Sequence, residues 1–318
     1  MSLNEVAKLI LEKNMGLKKE EKLLVITDSN KIEIGKAFFE EGKKIAAEAK
    51  LMDMPVSERH GAEPPKECAE IMPEYDVIMM PSTQSLSWTA ARDNATKAGA
   101  RIASMPGITK EIMMRSVNAD HEAMKERTGK LVEIMNNGKK VKIVSDKGTD
   151  IELSIEGVQA DGGICGMYHE KGSWGNLPTG ECYLAPKEET ANGTIIVDAS
   201  MGSIGKVDKE IKITVKEGMV TNIEGGESAD QLRKNLEAAG TEKAYNIAEL
   251  GIGTNDKARI TGNVLEDEKV MGTAHIAFGT NKWMGGTVDA GIHVDGIFFE
   301  PTIFVDNNKI IDKGKLLI

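Results

Sequence analysis

The segment KLLVIT at residues 22–27 determines how the first part of the fold is interpreted. Its centre is apolar, and a helical pattern follows it at about residues 31–50. A short apolar run of this kind predicts a strand that is buried on both faces. Similar runs follow at residues 49–54, 75–82 and 100–106. Strands that alternate with helical segments predict parallel βαβ units, so the N-terminal part is expected to be α/β with a mostly parallel sheet.

The pattern changes after Gly138, where pairs of short strands replace the alternation of strand and helix. Strand pairs joined by turn residues predict hairpins at about residues 141–155, 211–223 and 302–311. One helix interrupts them, and its sequence predicts Ser228 as the N-cap. The C-terminal part is therefore expected to be a β-rich α+β domain.

The composition limits both the organisation and the class of partner. A chain of 318 residues suggests two domains, and the change of pattern divides it into residues 1–138 and 139–318. The net charge of −10 argues against binding to nucleic acid or to an anionic membrane. The N-terminus does not resemble a signal peptide, and the three cysteines form no CxxC pair, so we expect a cytoplasmic protein. The expected partner is a small peptide or small-molecule substrate.

The candidate site consists of histidines and carboxylates that lie inside apolar or glycine-rich segments. His293 and Asp295 are two residues apart in a predicted strand, so both side chains point to the same side. His275, Glu249 and Glu181 occur in comparable surroundings. Mixed nitrogen and oxygen ligands suit Zn, Mn, Fe or Co. Core histidines and carboxylates that accept backbone N–H groups would give the same pattern, and the spacing alone leaves both interpretations open.

Other patterns in the chain do not support a competing chemistry. The segment GIGTND at residues 251–256 lacks the third glycine of a dinucleotide-binding loop. The segment GSIGKV at residues 202–207 has the wrong spacing for a phosphate-binding loop. Cys165 and Cys182 have no evident activating partner in the sequence, which argues against a cysteine nucleophile.

Several segments together resemble a known family. They are SLSWT at residues 85–89, NLPTGE at 176–181, ELGIGTN at 249–255, HIAFG at 275–279 and HVD at 293–295. Their content and order are similar to those of the thermophilic metallo-aminopeptidases of the aminopeptidase T/aminopeptidase S type. The resemblance implies an α/β N-terminal domain, a β-rich metal-bearing domain and a homodimer.

The same resemblance implies a metal-dependent hydrolase that removes N-terminal residues from small peptides with a metal-activated water. Two divalent ions (Zn, Co or Mn) would be held by the residues that match the family's ligands, with Glu181 or Glu249 as the general base. Those ligands are Glu181, Glu249, His275, His293 and Asp295.

One departure keeps an alternative open. The peptidases have a tyrosine ligand shortly after the position of His275, and the segment GTNKW at residues 279–283 supplies none. The same superfamily includes 2,5-dihydroxypyridine 5,6-dioxygenase, a ring-cleaving enzyme with one Fe(II) on two histidines and one carboxylate. His275, His293 and Asp295 match that set. A third reading is a binding protein with a structural metal. The hydrolase is our main prediction from the sequence.

Overall fold

The computed structural model describes residues 1–162 and 165–318, and they form two compact units. The first unit comprises Met1–His121 and Gly166–Thr179, and the second comprises Glu122–Cys165 and Gly180–Ile318. The change of pattern in the sequence predicts one boundary, after residue 138. In the structure the helix at residues 121–137 falls almost entirely in the second unit, and the chain returns to the first unit at Gly166.

The helices and strands alternate early in the chain, and strands dominate later. The α-helices are α1 Leu3–Leu9, α2 Ile32–Ile45, α3 Lys66–Ile71, α4 Ala90–Lys97, α5 Lys110–Ile112, α6 His121–Asn137, α7 Glu227–Ala238 and α8 Val264–Asp267. Short π or 3₁₀ turns lie at Ile10–Asn14, Met72–Glu74, Met113–Val117, Glu242–Tyr245 and Lys282–Met284. Within the described part of the chain, no helix is long and apolar enough to cross a membrane.

The strands follow in chain order. They are β1 Lys22–Asp28, β2 Glu48–Met54, β3 Val77–Ser82, β4 Arg101–Pro106, β5 Lys140–Val144, β6 Asp150–Ser154, β7 Trp174–Asn176, β8 Glu181–Leu184, β9 Asn192–Val197, β10 Ser200–Met201, β11 Gly205–Lys206, β12 Ile211–Lys216, β13 Met219–Glu224, β14 Ile247–Gly253, β15 Thr273–Gly279, β16 His293–Phe299, β17 Thr302–Val305, β18 Asn308–Asp312 and β19 Lys315–Leu316.

The first unit contains the predicted parallel sheet, with strand order β2-β1-β3-β4-β7. β3 is buried along its whole length, and β1 is buried after its first residue. Burial of apolar side chains on both faces is what a sheet covered by helices requires. The prediction of an α/β unit is confirmed. β7 adds a strand that the sequence analysis did not predict.

The second unit is built from antiparallel sheets, which confirms the predicted β-rich architecture. One has the strand order β11-β10-β16-β15-β14-β8, and the other runs β13-β12-β9-β6-β5-β17-β18-β19. Apolar side chains from both sheets form one core, which includes Ile143, Ile213, Ile276 and Phe298. The first of these sheets carries the candidate metal ligands.

The start of α7 differs from the prediction. Its N-cap is Gly226, not Ser228, and a glycine has no side chain that could accept a hydrogen bond from the first turn. The carboxylate of Asp208 instead accepts from the backbone N–H of Glu227 (3.1 Å) and of Ser228 (2.8 Å). An acidic group from elsewhere in the chain thus satisfies the unpaired donors of the first turn.

Candidate metal centre

Strand register brings the predicted ligands onto one face of a sheet. Glu249 on β14 lies opposite Ala277 on β15, which lies opposite Asp295 on β16. His275 lies two residues before Ala277 and pairs with Gly251. Directly opposed residues in neighbouring strands share a face, and so do residues two apart in one strand. Glu249, His275 and Asp295 therefore project from the same face.

The outer two ligands belong to the same face. Glu181 at the start of β8 pairs with Gly253, and His293 at the start of β16 pairs with Gly279. The structure thus places all five residues predicted from the sequence on one surface of this sheet: Glu181, Glu249, His275, His293 and Asp295.

Small residues between the ligands make room for the histidine rings. A Cβ atom added at Gly251 would overlap the imidazole of His275, so the ring lies directly over that glycine. Ala277, between Glu249 and Asp295, presents only a methyl group. Gly251 therefore has a steric function in the site.

The ligand atoms form two overlapping groups that share Glu249. In one, Nε2 of His275 lies 3.3 Å from Oε1 of Glu249 and 3.6 Å from Oε2 of Glu181. In the other, Nε2 of His293 lies 3.1 Å from Oε2 of Glu249 and 3.4 Å from Oδ1 of Asp295. The candidate ligand atoms within each group all lie within 4.8 Å of one another. Both histidines therefore direct Nε2 at the same carboxylate.

The donor set fits a divalent metal ion. Nδ1 of His293 donates to the backbone carbonyl of Thr280 (2.8 Å), because a carbonyl oxygen can only accept, and this leaves Nε2 available to a metal ion. Oε2 of Glu181 and Nδ1 of His275 are buried, and no hydrogen-bond partner for either is present among the described residues. Buried polar atoms of this kind normally have a partner, and a cation between the carboxylates would supply one to Glu181.

The metal-free cluster holds protons tightly. Burial alone would lower the pKa of His275, but its hydrogen bond to Glu249 and the neighbouring carboxylate charges raise that pKa to about 9. The pKa of His293 is raised well above its usual value, because Asp295 and Glu249 outweigh the effect of burial. Burial would raise the pKa values of Glu249 and Asp295, but the two histidines hold both below their usual range. A metal ion has to displace these protons from the imidazoles.

Two further residues at the site were missed by the sequence analysis. Lys269 is only 1% exposed, and its ammonium donates to Oε1 of Glu181 (2.7 Å) and to Oε2 of Glu268. Burial would lower the pKa of Lys269, but these two carboxylates raise it. Burial and the charges of Asp295 and Glu181 raise the pKa of Glu268 to about 8, despite the opposing effect of Lys269. Both residues lie in the charged run EDEK at residues 266–269, which is typical of an exposed segment.

An aromatic side chain borders the cluster. The indole of Trp283 lies with its centre 5.6 Å from that of the His293 ring, at an interplanar angle of 55°, and the residue is 38% exposed. It belongs to the short turn Lys282–Met284 between β15 and β16. A partly exposed ring next to the ligands offers a flat apolar surface to a bound molecule.

The fold and this cluster define the general class: an α/β unit joined to an antiparallel β unit that carries buried histidines and carboxylates suited to a divalent metal. The family model for 2,5-dihydroxypyridine 5,6-dioxygenase (NicX) matches residues 12–318. The chain belongs to this family.

Individual relatives agree with that assignment. A curated 2,5-dihydroxypyridine 5,6-dioxygenase from Pseudomonas putida KT2440 is 25% identical over 166 residues, which are 48% of this chain and 47% of that relative. The matched segment thus spans about half of the relative's length. The solved structure of a 2,5-dihydroxypyridine dioxygenase from the same organism has a TM-score of 0.84 at 18% identity, covering 99% of this chain and 96% of that one.

The peptidase prediction is wrong in its family and in its chemistry. Wild-type AmpT (aminopeptidase T) from Thermus thermophilus has a TM-score of 0.76 at 15% identity, with 99% of each chain covered. That similarity shows a shared fold alone. The match over residues 12–318 assigns the chain to a family of dioxygenases, which overturns the predictions of a hydrolase, an aminopeptidase and a metalloprotease. The prediction of an enzyme agrees with this family.

Proposed function

We propose that this protein is an Fe(II)-dependent dioxygenase that cleaves a hydroxylated aromatic ring of the 2,5-dihydroxypyridine type. The match of the family over residues 12–318 is the observation that carries this proposal. His275, His293 and Asp295 would hold one iron, because two histidines and one carboxylate form the ligand set of non-haem Fe(II) oxygenases. Glu249, with an oxygen 3.1–3.3 Å from Nε2 of each histidine, lies within reach as a further donor.

The bound iron would supply the redox chemistry that dioxygen needs in order to react with the ring. The protein's side chains would orient the ligands and accept protons from the substrate. Thr280 fixes the tautomer of His293 through its carbonyl oxygen. Glu181 is held at Oε1 by Lys269 and has Oε2 turned toward His275. That second oxygen would accept a proton from a ring hydroxyl group, the general-base role.

The flat side chain of Trp283 would support the ring. A planar substrate that stacks on an indole gains apolar contact and favourable ring–ring electrostatics. Trp283 is close enough to His293 for a ring bound against it to lie beside the ligands. The protein partner expected from the sequence, a second copy of the chain in a homodimer, remains part of this proposal.

The test is oxygen uptake by protein loaded anaerobically with Fe(II) and then given 2,5-dihydroxypyridine and air. We expect consumption of one O₂ per ring and loss of the ring's ultraviolet absorbance. Asp295→Asn should abolish both, whereas Asp198→Asn, a half-buried aspartate outside the cluster, should leave both intact. Iron-loaded protein that consumes no oxygen with this ring would contradict the proposal.

A further inference from the structure

Lys269 is the least expected side chain in the site. It is 1% exposed, in contrast to most lysines, and it lies between two carboxylates that belong to or border the cluster. A buried ammonium is costly unless it is paired and hydrogen-bonded. Here Glu181 and Glu268 provide both, so the ammonium is a fixed positive charge within the cluster.

The backbone holds this charge in place. The N–H of Lys269 donates to the carbonyl oxygen of Glu266 (3.0 Å), and its own carbonyl oxygen accepts from the N–H of Asn255 (2.8 Å). The side chain therefore starts from a segment tied at two points, immediately after α8. A tethered side chain loses little further freedom when it pairs with a carboxylate, so Glu181 is held by a positioned donor.

The ammonium of Lys269 contacts Glu181, which belongs to the ligand group that could hold a second metal ion. The two overlapping ligand groups share Glu249, and the group with Glu181 and His275 is the one that Lys269 contacts. An ion bound at that group would use Oε2 of Glu181 while Oε1 of the same carboxylate holds an ammonium. Like charges at such short separation repel strongly in a site shielded from water.

The charges of the cluster also favour one divalent ion over two. Glu181, Glu249, Glu268 and Asp295 together carry at most four negative charges. One divalent ion and the ammonium bring three positive charges, which these carboxylates can balance. Two divalent ions and the ammonium bring five, which they cannot.

We propose that Lys269 is the second cation of this site and restricts it to one divalent metal ion. The inference rests on the proposed function in one respect: the single metal ion is taken to be the iron of the dioxygenase. Lys269 acts through Glu181 and is a positioning residue. Without its ammonium, Glu181 and Glu268 would be free to bind a second ion together with Glu249.

The test uses Mn(II) alone, titrated into chelator-treated full-length protein and followed by electron paramagnetic resonance and elemental analysis. The wild type should bind one Mn(II) per chain with an uncoupled spectrum. Lys269→Met should bind two, with the spin-coupled spectrum of ions about 3.5–4 Å apart. Lys269→Arg, which keeps the charge, should bind one, and Lys257→Met, at an exposed lysine, should match the wild type.

Either of two outcomes overturns the proposal: two Mn(II) ions per chain in the wild type, or one in a folded Lys269→Met variant. If that variant does not fold, two Mn(II) ions in the wild type would still overturn the proposal. The proposed function is tested separately by oxygen uptake, which the Mn(II) count of the Lys269 variants does not measure.

Discussion

β3 in the first unit and β15 in the second are both buried along their whole length, yet they have different chemistry. β3 reads VIMMPS and packs apolar side chains such as Ile78 and Met80 into a core. β15 reads TAHIAFG and buries His275 completely. An apolar strand stabilises by burial alone, whereas a buried imidazole requires partners. In this sheet the partners are carboxylates, and they create the candidate metal centre.

The largest effect on stability should come from the apolar strand and should leave the metal untouched. Ile78→Ala removes a fully buried side chain, and we expect a loss of about 2–5 kcal/mol in the free energy of unfolding. Urea unfolding measures the loss, and elemental analysis of the folded variant should show unchanged metal content. A variant that loses metal at this position would break the distinction between the two strands.

The charged strands should instead make stability depend on pH. In metal-free protein the pKa of His275 is raised to about 9 and that of Glu268 to about 8, so between pH 6.5 and 9 the folded state holds protons that the unfolded state releases. Stability should therefore be highest at the lower end and fall as the pH rises through this window. Thermal unfolding of chelator-treated protein measures it.

The affinity for metal should show the opposite pH dependence to the stability of the metal-free protein. Metal binding competes with these protons, so affinity should strengthen over the same pH range. His275→Gln should flatten part of the metal-free profile, since it removes one of the titrating groups. A metal-free protein whose stability is constant or rises from pH 6.5 to 9 would contradict the assigned environment of His275.

The glycines of the charged strands provide a sharper test of geometry. Gly251→Ala places a methyl group where the His275 ring lies. We expect the ring to be displaced and metal affinity to fall by roughly 10–100-fold, the range seen when the support of a ligand is lost. Isothermal titration with Fe(II) under nitrogen measures the affinity. Gly129→Ala in α6, where an added Cβ meets nothing within 4 Å, is the matched control and should bind as the wild type does.

The smallest effect should come from the rim of the site. Trp283→Ala removes the flat surface beside His293, and loss of ring stacking is worth about 0.5–1.5 kcal/mol. We expect KM for the dihydroxypyridine to rise roughly two- to tenfold with kcat little changed. Trp283→Phe should retain most of the affinity. Equal losses in kcat and kcat/KM would assign the indole to the chemistry instead of to binding.

The sequence predicted those strands that are continuous apolar runs. It also predicted those candidate ligands that are ionisable residues within an apolar segment. β1, β3 and β4 are apolar runs, and His275, Glu249 and Asp295 are ionisable residues inside such runs. Register alone then places the ligands together. Their roles as ligands stay predictions, as does the general-base role of Glu181 or Glu249.

Other features depend on contacts that a linear pattern does not contain. β7 has only three half-buried residues and joins the sheet through its backbone. Lys269 and Glu268 lie in a charged run that would normally be solvated, and only the fold shows that both face the cluster. The chemistry was mispredicted because a dioxygenase and an aminopeptidase share this fold, while the missing tyrosine was the one local departure from the peptidase pattern.

We expect this cluster to hold one catalytic iron. The most direct measurement is metal content per chain, by elemental mass spectrometry, of wild type and His293→Ala purified without chelator and loaded with Fe(II) under nitrogen. We expect about one iron per wild-type chain and none retained by the variant. Two ions per wild-type chain, or an iron content that His293→Ala leaves unchanged, would contradict it.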